Sequence, residues 1–97
     1  MQFAHLMPTI YGFETYGSAL IKDFKKSVKR VLVHILDTER GDQTEIVDAT
    51  GCLYWIVDYV LHDISERDLA VVGFFVGGHN TIGLVKPSLR RYVEKFN

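Results

Sequence analysis

Cysteine is nearly missing from this chain: Cys52 is the single one among 97 residues. No disulfide can therefore close within it, and a reducing, cytoplasmic setting is the expectation. Long hydrophobic runs are missing too. No stretch approaches the roughly 18 uninterrupted apolar residues of a membrane span. The opening MQFAHLMPTIYGF lacks the basic and apolar regions of a signal peptide. Ligand spacing is absent as well: His5, His34, His62 and His79 are scattered, and no local motif supplies enough donors for a metal. The glycines at 73, 77, 78 and 83 follow no dinucleotide or phosphate-loop pattern. No histidine neighbours Cys52, which reads as a small core residue. A non-enzymatic protein without cofactor or metal is the expectation.

What is present is apolar content and an uneven distribution of charge. Hydrophobic residues make up 47%, high for a chain that buries only roughly 60–70% of its unfolded surface, which favours a homodimer. The net charge of −1 conceals three blocks. Lys22, Lys25, Lys26, Lys29 and Arg30 stand against Asp23 in residues 22–30. Residues 37–68 hold nine acids against Arg40 and Arg67, and residues 86–97 hold Lys86, Arg90, Arg91 and Lys95 against Glu94. Two basic blocks flanking an acidic middle can focus an anionic partner on one face. Solvated helix faces that merely differ in sign are the plain alternative.

Residues 1–17 carry Phe3, Tyr11, Phe13 and Tyr16 among the breakers Pro8, Gly12 and Gly17. They read as an aromatic arm or tail, with packing onto a partner or onto the domain itself as alternatives. Residues 18–97 read as one helical domain. From Ser18 to Asp37, Leu20, Ile21, Phe24, Val28, Val31, Leu32, Ile35 and Leu36 step by three and four, the stripe of an amphipathic helix. Residues 38–45 read as a polar loop. A second helix is expected from about Ile46 or Thr50 to His62, apolar nearly all round because of Trp55, Ile56 and Tyr59. Asp58 and His62, four apart, can pair on it. Ser65-Glu66-Arg67-Asp68 reads as a helix start, with Leu69, Val72, Gly73 and Val76 on one face and Gly77 as its stop. The β-branched and aromatic residues from Val71 to Val76 keep a strand open. Asn80 or Thr81 can cap a helix entering at Ile82, and Pro87 either kinks that helix or starts another over 87–96.

Leu69, Val72, Gly73, Val76, Gly77 and Gly78, with Val57, Val60, Leu61 and Ile64 upstream and Leu84 downstream, follow a familiar spacing. The stretch 57–84 resembles the C-terminal DNA-binding domain of the bacterial replication initiator DnaA. That resemblance implies a helix-turn-helix whose recognition helix opens at His79. The letters depart where DNA would be read: His79, Asn80, Thr81, Ile82 and Gly83 stand in place of that family's Arg-Asp-His-Thr-Thr, and the loop before the central helix is acidic rather than basic.

The fold expected is all-α, four or five helices with a C-terminal helix-turn-helix. The alternative is α+β with strands near 28–36 and 69–76. The function expected is binding double-stranded DNA as a regulator of transcription or replication, of the kind a phage or plasmid encodes. His79, Asn80, Thr81, Lys86 and Ser88 are the candidates for base edges. Lys22, Lys25, Lys26, Lys29, Arg30, Arg90, Arg91 and Lys95 are the candidates for phosphates. The competing class is a protein-interaction or inhibitor module with an acidic face, which an α+β fold would favour.

Overall fold

A computed structural model describes residues 10–77 and 79–96, with side chains from Asp23 onward. Four helices and three short strands follow in the order α1 (Ile10–Thr38), β1 (Gly41–Asp42), α2 (Gln43–Thr50), α3 (Tyr54–Glu66), β2 (Ala70–Gly73), β3 (Thr81–Val85) and α4 (Ser88–Lys95). The strands form one antiparallel sheet in the order β1-β3-β2. The fold is therefore α+β, which corrects the all-α expectation. Of the two alternative strand positions, 28–36 is helical and the second falls within 69–76. Residues 1–9 of the expected arm lie outside the described residues, and α1 already runs from Ile10.

The stripe on α1 works as its spacing predicts: Val28, Val31, Leu32 and Ile35 are buried. The helix ends where Glu39 turns left-handed (φ 57°) and its N–H donates to the Ile35 carbonyl at 2.8 Å. The segment expected to be a plain polar loop then does two jobs. Gly41 and Asp42 pair with Ile82 and Thr81. Asp42 also starts α2 through a capping box: the Glu45 N–H donates to Asp42 Oδ1 (2.8 Å) and the Asp42 N–H to Glu45 Oε1 (2.9 Å).

Gly51 divides the expected second helix in two. Its φ of 70° is the left-handed conformation that costs a side chain most, and its N–H closes α2 onto the Val47 carbonyl at 2.8 Å. Helix α2, the three residues Gly51-Cys52-Leu53, and helix α3 thus form a helix-turn-helix some 25 residues earlier in the chain than expected.

The Ser65–Asp68 signal ends a helix instead of starting one. The Asp68 N–H donates to the Ser65 carbonyl (3.1 Å) and the Leu69 N–H to the Ile64 carbonyl (2.8 Å), with Asp68 left-handed at φ 60°. That pair of bonds is the Schellman stop, and buried Leu69 and Ile64 supply its usual apolar contact. The chain leaves α3 as strand β2, so no helix forms over 69–76 and none enters at Ile82. Instead Ala70 pairs with Val85, Val71 with Leu84, Val72 with Ile82 and Gly73 with Thr81. Gly83 is the extra residue of the bulge between the second and third pairs, and it lets Ile82 and Val85, three apart, both meet the core. The C-terminal helix-turn-helix is absent for that reason. Pro87 precedes α4, whose Leu89 and Val93 are buried while Tyr92 and Phe96 pack beside them.

Candidate functional site

The two faces of α3 differ sharply. Ile56, Val57, Val60, Leu61 and Ile64 are buried. On the other side Trp55 is 58% exposed and Tyr59 46%. Rings continue this face at both ends. At the α1 end, Phe24 lies 5.7 Å from Trp55, nearly parallel at 8°, and 5.1 Å edge-on to Tyr59. At the hairpin end, one turn past Tyr59, the His62 ring stacks on Phe74 at 4.2 Å. Phe75 and Val76 at the hairpin tip, and Leu53 and Tyr54 at the start of α3, are also exposed. A continuous aromatic band thus runs from α1 along α3 to the hairpin. The sequence singled out Trp55 and Tyr59 only as packing residues of a central helix. Their i, i+4 spacing was visible, but a local pattern does not say which face of an all-apolar helix meets solvent.

Behind the band lies a polar brace. Asn80 Nδ2 donates to Gln43 Oε1 at 2.7 Å and to Asp58 Oδ1 at 3.1 Å. Gln43 Nε2 donates to the Tyr54 carbonyl (3.1 Å), and the Gln43 N–H to the Asn80 carbonyl (2.8 Å). Gln43 and Asn80 are the buried polar side chains, and among the described residues no buried side-chain N or O atom lacks a partner. This brace pins the start of β3 to both helices of the helix-turn-helix. Asp58 also reaches His62 Nε2 at 3.5 Å, the pairing their spacing allows.

The base-edge candidates are not brought together. Asn80 is buried in the brace, and Thr81 sits in the sheet with its hydroxyl on the His79 carbonyl. His79 is exposed near the hairpin tip. Lys86 is at the opposite, open end of the hairpin, where its N–H bonds the Leu69 carbonyl and its ammonium pairs with Asp68. Ser88 is exposed at the first turn of α4.

The phosphate candidates fare differently. Lys25, Lys26 and Arg30 on α1, and Arg90, Arg91 and Lys95 on α4, are exposed, while the Lys22 side chain lies outside the described residues. Helix α1 packs against α4, and Lys29 Nζ donates to the Phe96 carbonyl at 3.1 Å. Two basic blocks about 60 residues apart in sequence therefore sit on neighbouring helices.

Helix α4 is fastened to α3 by a second cluster. The Tyr92 hydroxyl donates to Asp63 Oδ2 at 3.0 Å, Arg67 Nε donates to Asp63 Oδ1 at 3.0 Å, and the Arg67 guanidinium lies 5.1 Å from the Tyr92 ring centroid. Burial pushes the Tyr92 phenol above its ordinary value of 10.0, reinforced by the bond to Asp63 and the charge of that carboxylate. A phenol that holds its proton more tightly when folded contributes its stability in full below pH 10 and loses it as pH rises beyond. The expected result is that the wild-type protein weakens more steeply above pH 10 than Tyr92→Phe does, measured by urea unfolding across that range.

Among the described residues no cluster of His, Cys, Asp and Glu can hold a metal, and no helix is long and apolar enough to cross a membrane. Cys52 is a free, buried thiol whose sulfur lies 3.6 Å from the Ser27 carbonyl. No known protein family, curated protein or solved structure matches this chain.

Proposed function

We propose that this chain is a protein-docking module built on a helix-turn-helix frame, with the aromatic band of α3 as its contact face. The connectivity, a helix-turn-helix followed by a β-hairpin against a short third strand, is that of a winged helix. In a DNA-binding helix-turn-helix the second helix enters the major groove. One observation argues against that use of α3: between Arg40 and Arg67 there is no lysine or arginine, against Asp42, Glu45, Asp48, Asp58, Asp63 and Glu66. Duplex DNA carries one negative charge per ~1.7 Å of axis, so this surface is repelled by it. The exposed α3 residues Tyr54, Trp55 and Tyr59 also lack the amide or guanidinium forks that read bases. Tryptophan, tyrosine and phenylalanine, rimmed by charge, are instead what protein interfaces are enriched in. A reducing, cytoplasmic setting suits the free thiol of Cys52.

The paired basic helices favour a second reading, in which α1 and α4 hold duplex phosphates without reading sequence and the protein regulates transcription or replication from there. One titration separates the two. Trp55 is the single tryptophan, so its emission reports the band alone. Random-sequence duplex added at low and at high salt is expected to leave Trp55 emission unchanged. Salt-sensitive binding that shifts the emission overturns the docking reading. Salt-sensitive binding that leaves it unchanged, and that is lost in a variant with Lys25, Lys26, Arg90 and Arg91 all replaced by glutamate, establishes the second.

A further inference from the structure

We infer that the occupant of the aromatic band is a second copy of this chain, set across it by a two-fold axis near Tyr59. The inference rests on the docking reading above and names its partner. Three observations lead to it.

The first is area. Trp55 and Tyr59 are 58 and 46% exposed, Phe74 and Phe75 41 and 60%, and Val76 99%. With about 150–250 Å² for each aromatic side chain, the band and hairpin tip offer roughly 550 Å² of apolar surface. Monomers rarely leave more than a few hundred Å² contiguous, and a stable interface takes roughly 800 Å² per partner.

The second is charge. The α1 end of the band, at Phe24, is flanked by exposed Lys25 and Lys26, with Arg30 one turn on. The hairpin end is flanked, one turn beyond His62, by exposed Glu66. An acidic patch laid on an identical acidic patch would repel. A band with a basic and an acidic end is self-complementary when two copies run antiparallel, which is the relation a two-fold axis imposes.

The third is ring arrangement. A two-fold axis near Tyr59 sets Trp55 of one copy opposite the His62–Phe74 stack of the other. Two anchors then lie at symmetric distances from the centre, where interface energy concentrates. The same apposition covers the apolar surplus that the composition reveals.

Sedimentation of the full chain over a wide concentration range, with Trp55 emission and acrylamide quenching read on the same samples, tests this. The expected result is a monomer–dimer equilibrium in which Trp55 becomes protected as dimer forms, and which weakens as salt rises. Tyr59→Glu, which puts two charges at the axis, is expected to weaken association at least a hundredfold while far-ultraviolet circular dichroism stays unchanged. Lys25→Glu with Lys26→Glu is expected to weaken it about tenfold, and adding Glu66→Lys to restore it. That rescue is a readout no folding defect produces. A dimer whose Trp55 stays open to quencher overturns the proposal, and so does a chain monomeric at every concentration. Either outcome leaves the docking reading standing for a different protein, whereas protection of Trp55 by duplex DNA overturns both.

Discussion

Asn80→Ala is expected to lower the unfolding free energy by about 2–4 kcal/mol, the sum of one neutral hydrogen bond, one to a carboxylate and the stranding of a buried acceptor. Asn80 is 5% exposed, and its amide nitrogen is the partner of Gln43 Oε1, which is itself fully buried. Asp58 is partly open to water, which recovers part of its lost bond and keeps the figure below a fully buried case. Asn80→Asp gives a sharper result. It replaces the donor with a carboxylate facing both Gln43 Oε1 and Asp58, so it is expected to be worse than alanine at neutral pH. Like charge raises the pKa of the new carboxylate in the folded state. The deficit therefore shrinks as pH falls through the carboxylate range and grows as pH rises. Urea unfolding of both variants between acid and neutral pH measures this. Equal and pH-independent losses would mean that the brace does not hold the hairpin to the helices.

What could be read from the letters follows the range over which each signal acts. The α1 stripe is repeated over many turns, and the buried set Val28, Val31, Leu32 and Ile35 appears where the spacing puts it. Capping letters are shorter and ambiguous in direction. Ser65-x-x-Asp68 fits a helix start, yet Asp68 adopts φ 60° and the same four residues close α3. The choice between helix and strand for Val71 to Val76 was settled by residues ten positions away: Thr81–Val85 offer β2 a partner, and β1 extends the sheet from 40 positions upstream. The β2–β3 pairing spans only residues 70–85, whereas the β1–β3 pairing lies outside any such local window. The same holds for the site. Asn80 has the chemistry of an adenine reader, but two partners, one 37 and one 22 positions distant, claim its amide for the interior. The two basic blocks were visible as blocks, and only folding brings them together. Glycine is the clearest local sign: Gly51 costs a helix ~1 kcal/mol, which points to a helix start just after it, and it is the residue that splits the expected helix into the helix-turn-helix.

Leu61→Ala is expected to cost about 2–5 kcal/mol, and its comparison with Trp55→Ala tests the two-faced character of α3 on which the docking face depends. Leu61 has no exposed surface and lies in the core cluster with Leu32 and Ile35 of α1 and Ile46 of α2. Truncation removes its transfer free energy and leaves a cavity that the packed helices close only in part. A single domain of this size holds about 5–15 kcal/mol in all, so this one change takes a large share of it. Leu61→Met, which keeps the volume, is expected to cost under about 1.5 kcal/mol. Trp55 is the larger side chain, and a helix buried all round, as the composition of α3 suggests, would charge about 3–5 kcal/mol for its truncation. With Trp55 58% exposed and held chiefly by its stack on Phe24, the expected loss is only about 0.5–1.5 kcal/mol. Urea unfolding at low protein concentration, where self-association adds nothing, ranks the three variants. A Trp55→Ala loss as large as that of Leu61→Ala would make the band part of the core. A small one leaves a large aromatic surface that the folded chain maintains without needing it for its own stability, and that a partner can use.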